Sequence, residues 1–262
     1  MNRLKSHQLD RILNNKTLGS SELVQFLNSY FLSIHKNKSE ILRSIRLVKT
    51  RLGHFEAVNS YLKQLKTASE SEKGLLIFLS NHSIQQKEKV DIIFKKIYSH
   101  LKNLNSVITL SRSGTVLGIL KLWHQKNKNI RVVVCESRPK FEGRLMAKEL
   151  AANGIRVELI TDAMLGLFVP KVDAAIIGAD IVLNTGNVVN KVGSKVLALL
   201  CREYKKPFYV VTSRSKLSKK KIFKSKKENP KEVWDSKVKK ISVSNIYFEE
   251  IEKKFITKIC TD

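Results

Sequence analysis

The chain has 262 residues, 42% of them hydrophobic, enough for one large domain or two modest ones with real cores. Lys and Arg number 49 against 23 Asp and Glu, a formal net charge of +26. That balance favours polyanions or phosphorylated ligands as partners, or else reflects a lysine-rich coding bias. No apolar run nears the ~18 residues of a membrane span. The N-terminal MNRLKSHQLDRIL lacks the apolar stretch of a signal peptide. Cys135, Cys201 and Cys260 form no CxxC pair, so the expectation is a reduced, cytoplasmic protein without structural zinc.

Helical periodicity dominates up to residue 103. SSELVQFLNSYFLSIH sets Leu23, Phe26, Leu27 and Tyr30 on one face, with Ser20 or Ser21 as cap. SEILRSIRLVKTRL, HFEAVNSYLKQLKTA and the long stretch ending at IYSHL continue the same period, predicting a helical domain over 1–103. From residue 104 short apolar strands alternate with amphipathic helices. The predicted strands cover 106–110, 131–136, 156–160, 174–178 and 207–212, and Gly143 and Gly154 fall where helix ends need them. Such alternation predicts an α/β domain over 104–262, a parallel sheet with helices on both faces. Residues 213–232, SRSKLSKKKIFKSKKENPKE, read as an exposed basic loop, either solvated or touching RNA or phosphate.

In parallel sheets ligands gather beyond the carboxyl ends of the strands, and polar groups cluster there. Ser111-Arg112-Ser113-Gly114 leads into a helix, so its serines hold an anion or simply cap the helix. Arg138, beside Pro139, suits a phosphate or a surface ion pair. Asp180 follows Gly178-Ala179 as a general acid/base or as a loop cap. Asn190-Lys191 precedes a helix start, the lysine offering charge to a phosphate. There is no GxGxxG after the first strand, no P-loop and no HExxH, so no nucleotide cofactor or metal is implied.

The blocks CESRPKFEGRLMAKEL, GIRVELITDAML and VDAAIIGADIVLNTGNVVNKVGSKVLALLCREYKKPFYVVTSRSKL, together with the closing NIYFEEIEKKFITKICTD, carry a resemblance from residue 104 to the end. They resemble the family that unites the α, β and δ subunits of translation initiation factor 2B with aldose–ketose isomerases acting on methylthioribose-1-phosphate and ribose-1,5-bisphosphate. The resemblance implies a helical N-terminal domain, a Rossmann-like C-terminal domain and dimers through the latter. It implies that Asp180 stands at the isomerases' catalytic aspartate and Asn190-Lys191 at their substrate-binding pair.

Other positions depart from the isomerase pattern. Ser111 falls at the catalytic cysteine and Glu142 at a substrate-binding glutamine. The phosphate loop becomes Leu18-Gly19-Ser20, without its arginine, and a second phosphate-binding arginine becomes His54. Cys135, near the end of a neighbouring strand, reads as a buried cysteine or a substitute acid. A hydroxyl is a far poorer acid than a thiol, and a carboxylate at 142 repels a phosphate. The resemblance therefore implies a regulatory or binding protein of translation initiation with a degenerate sugar-phosphate pocket; the alternative is an isomerase. Its implied partners are sister subunits or copies of itself, a translation factor or nucleoprotein, and a phosphorylated sugar or nucleotide, with no membrane.

Overall fold

A computed structural model describes residues 3–15, 19–53, 55–235 and 238–262. Five helices come first: α1 (Arg3–Leu13), α2 (Ser20–Ser33), α3 (Lys38–Leu52), α4 (Glu56–Ala68) and α5 (Glu72–Leu101). Their starts are chemically marked. Asn37 accepts from the Glu40 N–H at 3.0 Å and Ser71 from the Gly74 N–H at 3.1 Å, satisfying donors that a first turn leaves unpaired. In α2 Gly19 is the cap residue, and Glu22 reaches back to its N–H at 3.2 Å. Ser20 therefore does not cap the helix as predicted; its side chain is spent elsewhere. Leu23, Leu27 and Tyr30 are buried, but Phe26, placed on the same face by periodicity, is 49% exposed.

The remainder runs β1 (Ser106–Leu110), α6 (Gly114–Lys126), β2 (Arg131–Cys135), α7 (Glu142–Ala152), β3 (Arg156–Ile160), α8 (Leu165–Phe168), β4 (Ala174–Ile177), β5 (Ile181–Val182), β6 (Val188–Lys191), α9 (Ser194–Glu203), β7 (Phe208–Val211), β8 (Phe248–Ile251) and β9 (Lys258–Cys260). All five predicted strands form, and four short ones join them. Six strands pair in parallel in the order β3-β2-β1-β4-β7-β9, while β5, β6 and β8 make a separate antiparallel sheet. The central strands β1, β2, β4 and β7 are buried along nearly their whole length because helices cover both faces.

One core lies among α1–α5, built on Leu27, Phe31, Val48, Val58 and Leu65. Two more lie on opposite faces of the large sheet, one around Trp123 and Val132, the other around Ile108 and Leu197. Helix α5 serves two of these. Its Leu75 and Leu79 join the helical core, whereas Ile93, Ile97 and Leu101 pack with α6 on the sheet. Thirty residues span ~45 Å, long enough to tie the two together.

Gly154, at φ +77° just past α7, ends that helix as the sequence predicts. Gly143 has a different purpose. It sits in the first turn of α7, where a Cβ would collide with the Cys135 carbonyl, so it lets the helix approach the end of β2. The basic stretch 213–232 is also not wholly exposed. It makes a 3₁₀ turn at Arg214–Lys216 that buries Lys216, and Leu217 bridges to Val182.

Candidate ligand site at the switch point of the sheet

Strands β1 and β4 are neighbours, but the chain leaves β1 towards β2 on one side and leaves β4 towards β7 on the other. Such a divergence opens a crevice beyond the strand ends. A cavity of about 210 Å³ lies there, lined by Ser111–Gly114 after β1, Gly178–Asp180 after β4, the start of α2, and Asn190 and Lys191 of β6. Gly178 is needed for this meeting, because a Cβ there would strike the Ser113 side chain.

Ser111 turns the chain at φ 59°, a region that disfavours side chains, and its N–H donates to Ser137 Oγ at 2.6 Å. Ser113 caps α6, accepting from the Val116 N–H at 3.4 Å, which settles its role as a cap. Asp180 accepts at Oδ1 from Ser20 Oγ at 3.1 Å. Asn190 donates from Nδ2 to Ser194 Oγ at 2.9 Å, so its amide is partly committed within the fold.

Glu142 and Lys191 form the most consequential contact. Lys191 Nζ donates to Glu142 Oε1 at 2.6 Å, with both side chains at least nine-tenths buried. The ammonium also stands 4.7 Å from the Tyr247 ring and 5.2 Å from that of Phe248, whose faces favour a cation. Glu142 Oε2 is buried without a hydrogen bond. The lysine meant for a phosphate is thus already neutralised by the protein.

The remaining positions divide. Gly19 lines the cavity, but Arg138 does not. The Arg138 guanidinium donates to the Val233 carbonyl at 3.1 Å and faces the Phe141 ring, so it is held away from the crevice. His54 and Leu18 lie outside the described residues. Cys135 is 1% exposed and does not line the cavity; burial, aided by Asp162, pushes its thiol up to about 12. It is a buried core cysteine, unfit to stand in as an acid.

Two cations that motif reading passed over line the same space. Arg51 reaches it from the end of α3, and Lys216 from the turn after β7. Lys216 is 6% exposed, and among the described residues its ammonium makes no hydrogen bond or ion pair. Burial lowers its ammonium's pKa, with Asp180 opposing the shift. Nothing local in a chain this rich in lysine singles it out. Arg112 also lines the cavity, yet is tied to Glu22 and to Glu149, the latter at 2.7 and 2.9 Å. No cluster of three or more His, Cys, Asp or Glu suited to a metal ion occurs among the described residues.

The profile of the initiation factor 2 subunit family matches residues 7–262. The chain belongs to that family. Its relatives fall into two kinds. It is 44% identical over 110 residues to a putative translation initiation factor eIF-2B subunit 2-like protein of Pyrococcus horikoshii, spanning 42% of this chain and 40% of that one. It is 32% identical over 271 residues to methylthioribose-1-phosphate isomerase 1 of Pseudothermotoga lettingae, spanning 94% and 77%. It is also 28% identical over 223 residues to ribose 1,5-bisphosphate isomerase of Archaeoglobus fulgidus, spanning 81% and 70%.

Among solved structures, translation initiation factor eIF-2B of Pyrococcus horikoshii superposes with a TM-score of 0.83 at 23% identity, covering 99% of this chain and 95% of that one. The tetrameric eIF2B-beta2-delta2 complex of C. thermophilum gives 0.81 at 13% identity, covering 99% and 91%. The helical first part and the parallel sheet are thus the family's fold. No helix among the described residues is long and apolar enough to cross a membrane.

Proposed function

We propose that this chain is an initiation-factor-2B-like regulatory or binding protein that keeps the switch-point cavity for a ligand and does not isomerise sugar phosphates. The buried Lys191–Glu142 pair carries this reading. Aldose–ketose isomerisation moves a proton or a hydride between adjacent carbons and needs a positioned acid and base. Asp180 lines the cavity, but the group sharing it at the resembled cysteine position is Ser111, a far weaker acid than a thiol. Glu142 consumes the charge of Lys191 that a phosphate would otherwise meet.

On this reading the protein works through its surfaces, assembling with copies of itself or with sister subunits in the cytoplasm, and its excess of 26 positive charges suits an acidic or nucleoprotein partner. The alternative, a phosphorylated-ribose isomerase, is favoured by one observation: Asp180, Asn190 and Lys191 share a single cavity. Incubation with methylthioribose-1-phosphate and with ribose-1,5-bisphosphate, followed for ketose, separates the two. No turnover is expected. Turnover that Asp180→Asn abolishes would establish the isomerase instead.

A further inference from the structure

One patch of the surface combines unpaired cations with exposed flat side chains. The segment after β7 leaves Lys219, Lys221, Lys224 and Lys227 exposed and, among the described residues, without an ion pair. Lys220 and Lys231 in the same segment are by contrast held by Glu56 and Asp235. The segment then makes a 3₁₀ turn at Pro230–Glu232 and leads into Trp234, which is 54% exposed. That turn is pinned. Lys140 reaches Glu232 at 2.6 Å, and the Asn245 amide donates to the Asn229 carbonyl at 2.8 Å. The Val233 carbonyl accepts from the Arg138 guanidinium, which lies 4.9 Å from the Phe141 ring. Arg144 lies 3.8 Å from the same ring. An exposed indole is thus held next in sequence to the residue that anchors Arg138, with free lysines along the stretch that leads to it.

Lysines alone would suit any polyanion. Indole and guanidinium planes add a preference, because unpaired bases stack on them and a carboxylate has no face to stack. An anionic membrane surface is the poorer fit, since no helix among the described residues of this segment gathers apolar side chains on one side. We infer that this surface binds single-stranded nucleic acid, its phosphates on the lysines and an unpaired base on Trp234. The inference rests on the reading of the protein as one that works through its surfaces, and it names the chemistry of the partner.

The chain has two tryptophans, and the other, Trp123, is fully buried, so a stacked base should quench only Trp234. Oligouridine of about 12 nucleotides is the probe, labelled for anisotropy and unlabelled for quenching. Binding in low salt that weakens steeply as salt rises is expected, together with quenching of the tryptophan emission. Trp234→Ala should weaken binding at least about fivefold. Lys224→Glu combined with Lys227→Glu should weaken it and flatten the salt dependence. No binding by about 100 µM, no quenching, equal affinity for polyglutamate, or unchanged affinity in Trp234→Ala overturns the inference. The quenching of the unaltered protein stands even if a variant does not fold. Failure here leaves the regulatory reading with a protein partner, whereas ketose formation removes that reading and leaves oligonucleotide binding as found.

Discussion

The hydroxyl of Ser20, at the start of α2, donates to Oδ1 of Asp180, beyond the end of β4, over 3.1 Å. These residues stand 160 positions apart, one in the helical part of the chain and one in the loop between β4 and β5. The orientation of the acid is thus set partly by a helix of the first, helical part of the chain. Ser20 is 1% exposed, so no water replaces it cheaply.

Ser20→Ala should therefore lower stability by about 1 kcal/mol, the worth of one such hydrogen bond. Urea unfolding checks it: the midpoint falls while the slope stays constant. A stability unchanged within about 0.3 kcal/mol would mean that the contact adds nothing.

The Lys191–Glu142 pair should respond asymmetrically. Lys191→Met leaves a buried carboxylate uncompensated and should cost about 3–5 kcal/mol. Lys191→Met combined with Glu142→Leu should recover most of that loss, because a packed apolar pair avoids the desolvation of two charges. A double variant whose loss equals the sum of the Lys191→Met and Glu142→Leu losses measured singly would show that the residues act independently.

His82 predicts a pH dependence. It is buried at the edges of the Tyr61 and Phe78 rings, and burial first, then Lys89, lowers its imidazole to about 4. The unfolded chain takes up this proton below about pH 6.5, and the folded chain does not until near pH 4. Its contribution is therefore complete above the unfolded value and is lost as pH falls through that window, up to about 3 kcal/mol. His82→Gln should flatten this part of the curve. Melting temperatures of both proteins at pH 7 and 4.5 decide it, and parallel losses would refute the assignment.

The cysteines should be inert in the folded protein. Cys135, Cys201 and Cys260 are all at most 2% exposed, and burial raises each thiol, the first two to about 12. A thiol-specific reagent at pH 8 should modify none of them at an appreciable rate until urea unfolds the chain, after which all three react. Rapid labelling of Cys135 in the native state would reopen its role as an acid near the cavity.

Much of this was legible in advance, and the reasons are physical. β1, β2, β3, β4 and β7 show as apolar runs bounded by turn residues, and the helices between them by their 3.6-residue period. β5, β6, β8 and β9 did not show. They are two to four residues long, and β6 pairs with β8 nearly sixty residues on, so neither carries a pattern of its own. Ser111, Asp180, Asn190 and Lys191 stand out by their places near strand ends and helix starts, and Glu142 by the family resemblance; one cavity gathers them. Arg138 shared that kind of position yet turns to the Val233 carbonyl, since strand-end placement does not fix where a long side chain goes.

Sequence alone determined the class of fold, the edge of the sheet at which ligands gather, and the residue types that stand there. These follow from periodicity and from the rule that parallel strands discharge their ligand-binding loops at one edge. Only the tertiary structure decided which charges cancel. Glu142 could have faced solvent or a ligand, and it instead neutralises Lys191; Lys216, one lysine among many, is buried beside the cavity within reach of the Asp180 charge. Pairing between residues 49 positions apart depends on distances of a few ångströms, which no spacing along the chain encodes.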